Sequence, residues 1–73
     1  FKLHPNPAHD ILFIEGLEKG SHIDIIDVTG KVMITSTTDS AIHGINISTL
    51  SSGIYFIKLP AKDSFLIKKL IKK

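Results

Sequence analysis

The side chains best placed to do chemistry in this 73-residue chain are the lysines of its last six positions, Lys68, Lys69, Lys72 and Lys73. Positive charge clustered in this way binds anionic polymers or surfaces by displacing their counterions. A nucleic-acid reader would add arginine for bidentate base and phosphate contacts, and aromatic rings for stacking. The sequence has no arginine and no aromatic row between these lysines, so nucleic acid is not expected as a partner. Nucleophilic catalysis needs a hydroxyl or thiol beside a base and an orienting group. Cysteine is absent, and the serines sit in turn-like clusters with no G-x-S-x-G elbow around them. The carboxylates Asp10, Glu15, Glu18, Asp24, Asp27, Asp39 and Asp63 read as loop or polar-face residues. His4, His9, His22 and His43 form no i, i+4 helical pair suited to zinc and read as exposed residues at strand ends. Asp24 and Asp27 lack the remainder of a calcium loop. Neither enzymatic activity nor a metal or cofactor is therefore expected.

The scaffold under those lysines follows from hydrophobic periodicity. Hydrophobic residues make up 42% of the chain, mostly Ile and Leu, which excludes a disordered tail. Apolar stretches recur at Ile11–Ile14, Ile23–Val28, Val32–Ile34, Ile45–Ile47, Ile54–Leu59 and Phe65–Ile71. Separation by turn signals at about ten-residue intervals is the pattern of a sandwich, and β-branched side chains suit a pleated surface better than a helix. The expectation is one all-β domain, a small antiparallel sandwich of about seven short strands. Alternation places Ile23 and Ile25, Ile45 and Ile47, and Tyr55, Ile57 and Leu59 inward. Ile11–Ile14 is apolar on both parities and reads as a central strand or one whose outer face is covered. The last stretch also fits a basic surface helix with Phe65, Leu66, Leu70 and Ile71 opposite the lysines. Its length falls below the roughly 12 residues an isolated helix needs, so an edge strand blunted by lysine is preferred.

The breaks have physical readings of their own. Pro5-Asn6-Pro7 removes two backbone donors and takes the chain out of a sheet, as a hinge between strand pieces. Asp27 to Lys31, with Gly30 supplying a positive φ, reads as a hairpin turn. The polar run Ser48–Gly53 carries Leu50 as a plug for the core end, and Pro60 is read as ending the strand that begins near Gly53, Ile54 and Tyr55. Ile54 and Tyr55 are both read as core or half-core. No apolar run approaches the roughly 20 residues that span a bilayer. The opening Phe1 reads as a cut from the end of a longer polypeptide, residues 1–73 being its final domain.

In order along the chain, Pro5-Asn6-Pro7, Ile25-Ile26-Asp27-Val28-Thr29-Gly30-Lys31-Val32, Ile45 to Phe56 with Gly53-Ile54-Tyr55, and the Lys-rich end resemble the type A C-terminal sorting domain of the type IX (Por) secretion system of Bacteroidota. Ile26 and Asn46 depart from it, standing where an aromatic residue and Asp are usual. The resemblance implies an Ig-like sandwich with no cofactor, which carries an upstream cargo through the periplasm to the type IX translocon. It also implies removal by a sortase-type peptidase, and delivery of the cargo to the outer-membrane surface or the medium. It assigns recognition to Lys68, Lys69, Lys72 and Lys73, and structural roles to Pro5, Asn6, Pro7, Asp27, Gly30, Lys31, Leu50, Gly53, Ile54 and Tyr55. Stable membrane insertion is not expected, and a monomer is, with edge-to-edge pairing the alternative in an isolated piece. An Ig- or fibronectin-like adhesion or carbohydrate-binding module would share the strand pattern. Glycan platforms favour Trp or Tyr, however, and the chain has no Trp and one Tyr.

Overall fold

Ile- and Val-rich runs broken by Gly, Pro and Asx residues have little choice but to form short strands with tight connections. In the computed structural model, which describes residues 1–73, these are β1 (Lys2–His4), β2 (Ile11–Glu15), β3 (His22–Ile26), β4 (Val32–Thr37), β5 (Ile42–Asn46), β6 (Gly53–Ala61) and β7 (Ser64–Lys72). There is no helix, and none therefore that could cross a membrane. Two antiparallel sheets form, in the orders β1-β2-β5 and β4-β3-β6-β7. This is the Ig-like partition of strands between two sheets, with β4 attached beside β3.

The alternating parities meet between the sheets. Leu12, Ile14 and Ile45 from one sheet pack with Ile23, Ile25, Ile57, Leu59 and Leu70 from the other. Ala8, Ile47, Leu50 and Tyr55 join the same core, so Leu50 is the plug that the sequence suggests. Each such aliphatic side chain contributes about 1.5–3 kcal/mol by leaving water. Tyr55 stands near the start of β6, and its hydroxyl donates to the Ser51 carbonyl at 2.8 Å. This is the tyrosine corner that braces the same crossover in Ig-type sandwiches.

β2 lies in the middle of its sheet, which accounts for its apolar residues on both parities. Leu12 and Ile14 are buried, while Ile11 and Phe13 look outward and remain partly exposed. Phe13 lies across β5 at Gly44, where an added Cβ would stand 3.2 Å from its ring. That glycine makes room for the aromatic. β7 is a strand rather than a helix, and it forms the outer edge of the four-stranded sheet.

Three expectations need correction. Pro60 does not end β6, because the strand continues to Ala61 and Pro60 pairs with Phe65. Pro60 shares the parity of Phe56 and Lys58, which pair with β3, but that ladder stops at Lys58. Its missing N–H therefore faces no partner strand. Ile54 is not core: Tyr55 takes the inward parity, and Ile54 points outward opposite Ile71. Pro5-Asn6-Pro7 is not an in-line hinge but part of the loop between antiparallel β1 and β2.

Candidate functional site

The basic segment is built on β7, which a hairpin through Lys62 and Asp63 lays against the whole length of β6. In an antiparallel edge strand, alternate residues turn their backbone N–H and C=O away from the sheet. Ile71 is one of these: its N–H donates to the Asn6 side-chain oxygen at 3.1 Å, and its carbonyl accepts Ala8 N–H at 2.8 Å. The Asn6 amide also donates to the Lys69 carbonyl at 3.1 Å, and Lys73 N–H donates to the Ala8 carbonyl at 2.8 Å. The Pro5–Ala8 loop thus acts as a surrogate strand along the last third of β7. Pro5 and Pro7 have no N–H to offer, so the Asn6 side chain, with one donor and one acceptor, replaces a peptide group.

The same parity sorts the lysines. Lys68 and Lys72 share the inner side with Leu70, whereas Lys69 stands on the outer face. Lys68 reaches toward the opposite sheet, its Nζ 5.9 Å from the Phe1 ring centroid. Lys72 is only 8% exposed, and its Nζ donates to the Lys73 carbonyl at 2.9 Å. Lys68, Lys69 and Lys73 are exposed. The four lysines therefore do not form one patch; packing accounts for the position of Lys72 and leaves three charges in solvent.

The other motif residues hold the frame. The Asp27 carboxylate accepts from Thr29 N–H at 2.8 Å, Thr29 Oγ at 2.6 Å and Lys31 N–H at 3.0 Å. The Thr29 hydroxyl bond is the largest influence on the Asp27 carboxyl; with the two backbone donors and the Lys31 charge it outweighs the opposing desolvation and holds the group below its ordinary value of 3.8. Gly30 follows with φ +90°, a left-handed conformation that favours glycine. Gly53, at φ +152°, starts β6 beside Lys72.

One constellation escapes the sequence reading. Ser36 Oγ lies 2.7 Å from His43 Nε2, and His43 Nδ1 lies 3.2 Å from Asp39 Oδ1. The expectation of exposed histidines fails at His43, whose side chain is 11% exposed. A carboxylate can only accept, so when the imidazole is neutral Nδ1 carries the proton and Nε2 accepts from Ser36. The His43 bond, foremost, lowers the Asp39 pKa from 3.8. These are the contacts of a Ser-His-Asp triad, but acyl transfer also needs a cleft and oxyanion donors. None of the three surface cavities is lined by Ser36, Asp39 or His43. Ser36 on β4 instead meets His43 on β5 between the sheets, and the trio fastens the side of the sandwich opposite the Asn6 loop. The signal in the sequence was parity alone: Ser36 follows inward Ile34, and His43 precedes inward Ile45.

His4 and Glu15 pair at 2.6 Å beside a His4–Phe13 stack, and His22 contacts Asp24 at 3.0 Å. No group of three potential ligands converges on a metal position. No curated protein and no solved structure matches the chain. A family model described as the secretion system C-terminal sorting domain matches residues 2–73. With the Ig-like sandwich, the Asn6 clamp and the basic edge strand all inside that span, the chain belongs to the C-terminal sorting domain family of the type IX secretion system.

Proposed function

We propose that this domain is a detachable address for an exported cargo, read by the type IX machinery through the exposed lysines of β7. Membership of a sorting-signal family carries the general role and is not that of a catalyst. The observation that supports β7 as the part that is read is its geometry. Lys68, Lys69 and Lys73 project from an extended backbone held in place by Asn6 and Ala8, so three charges are presented at fixed spacing at low entropic cost. Lys72 anchors the end of the strand. The cargo passes through the periplasm and is delivered to the outer-membrane surface or the medium, and a sortase-type peptidase removes the domain. An adhesion reading gains nothing, since the sole tyrosine is buried at the corner of β6 and offers no platform for a sugar.

The test is a secreted reporter fused to this domain in a cell that has the export system. The intact domain is expected to carry the reporter to the surface or medium, and the triple change Lys68→Ser, Lys69→Ser, Lys73→Ser is expected to leave it in the periplasm. Circular dichroism of the purified variant confirms that the strands persist. Undiminished export of the triple variant would remove the lysines from the mechanism, and no export of the intact fusion would remove the sorting role.

A further inference from the structure

Only part of the β7 edge is covered. The Asn6 loop ends at the Lys69 carbonyl, and toward the start of the strand Phe65 and Ile67 share the outward backbone orientation of Ile71. No hydrogen bond reaches their N–H or C=O groups from that side. Along the same stretch Phe65, Leu66 and Ile67 are 52%, 43% and 46% exposed. Three consecutive large apolar residues on an open edge contradict the usual protection of sheet edges by charge, proline or cover.

We infer that this edge pairs with a second copy of itself, β7 against β7 in antiparallel register about a two-fold axis at Leu66. The axis is chosen by what the strand presents. Centred there, Phe65 of one chain exchanges both backbone bonds with Ile67 of the other, and symmetry repeats the exchange. The open groups at these two positions are thereby satisfied, and the contact stops short of the Asn6 loop. Leu66 meets its own symmetry mate on the inner side, and Phe65 lies beside Ile67 on the outer side. Lys68 falls opposite Ser64, and Lys69 opposite Asp63, so no lysine faces a lysine. Sliding the axis to Lys68 would oppose like charges and drive the partner strand into Asn6. The two four-stranded sheets become one continuous sheet. The pairing does not depend on the export reading.

Sedimentation equilibrium of the chain over micromolar to millimolar concentration is expected to show a monomer–dimer equilibrium. Ile67→Pro removes an N–H that points away from β6, so the intrachain ladder stays whole. Two intermolecular bonds are lost per dimer, and dimerisation should weaken roughly twentyfold. Because the chain has no cysteine, Leu66→Cys gives a second readout. Residues facing each other in a non-hydrogen-bonded pair lie within disulfide reach, so this variant should cross-link rapidly on oxidation. Ile67→Cys, displaced from the axis, should not, and Ser51→Cys sets the background. A chain monomeric at every concentration, with Leu66→Cys at background, would overturn the pairing and leave the edge to a strand of different sequence. A dimer indifferent to Ile67→Pro, or linked faster through Ile67→Cys, would overturn it equally.

Discussion

Replacing Asn6 by alanine separates the clamp on β7 from the rest of the fold. The side chain makes two bonds to the β7 backbone, one to the Lys69 carbonyl and one from Ile71 N–H, both 3.1 Å and both near solvent. Each contributes about 0.5–1.5 kcal/mol, so the loss is about 1–3 kcal/mol. A domain of this length has about 4–11 kcal/mol in all, and the midpoint of thermal unfolding should fall roughly 4–8 °C per kcal/mol. The two bonds of Ala8 survive, so the end of β7 loosens without detaching. Amide exchange reads this directly: Ile71 N–H should lose protection, and Lys73 N–H, bonded to the Ala8 carbonyl, should keep more of its own. Asn6→Asp gives a sharper version. An ionised carboxylate still accepts from Ile71 but sets an oxygen against the Lys69 carbonyl, whereas the protonated acid can donate there. Folding therefore raises the pKa of this new Asp above its unfolded value of about 3.9. The associated stability is present below that value and lost as pH rises through the folded pKa. The deficit of Asn6→Asp against the parent, measured by urea unfolding, should be largest near neutrality and shrink in acid. Unaltered Ile71 exchange in Asn6→Ala, or a pH-independent deficit in Asn6→Asp, would refute the surrogate-strand account.

Asp27 has a depressed pKa, so its contribution is present above the unfolded value near 3.8 and is lost as pH falls through the folded value. Asp27→Asn should flatten that part of the acid-unfolding curve, read as urea midpoints in steps below neutrality. His43→Ala should let the Asp39 carboxyl return upward toward its ordinary value, followed by NMR titration. It should also destabilise the sandwich by about 1–3 kcal/mol by leaving Ser36 unpaired between the sheets. Tyr55→Phe should cost about 1–1.5 kcal/mol in chemical unfolding through the lost bond to Ser51, with the strand content unchanged.

What the sequence discloses here is local. Asp27 and Gly30 specify their own turn, because the Asx bonds reach only two to four residues ahead. Tyr55, Ile57 and Leu59 declare an inward face by spacing alone, and that parity also sends Ile54 outward. What stays hidden depends on neighbours far along the chain. Asn6 finds its acceptor and donor 63 and 65 residues away, so Pro5-Asn6-Pro7 reads as an interruption when it is half of a clamp. Pro60 reads as a stop because sequence cannot say which side of a strand lacks a partner. His43 reads as surface because a polar residue on an inward parity looks like an outward one until the facing sheet is known. The lysines are legible as a cluster, but only the register on β6 shows that Lys72 lies inside and Lys69 outside.

The two long sides of the sandwich are closed by different means. Where β4 faces β5, the closure is Ser36, His43 and Asp39, side chains within an eight-residue stretch of sequence. On the β7 side it is a loop from the start of the chain reaching the last strand. The first closure can form as soon as β4 and β5 exist. The second requires both ends of the chain, with all loop-closure entropy already lost. The outer edge of β7 has its bonds only when the β1–β2 loop and β7 are both in place, even though β7 carries the exposed charge. That dependence suits the proposed reading of β7 by another protein. The core holds β6 in place, while the edge of β7 is fixed only by the few bonds that Asn6 and Ala8 supply.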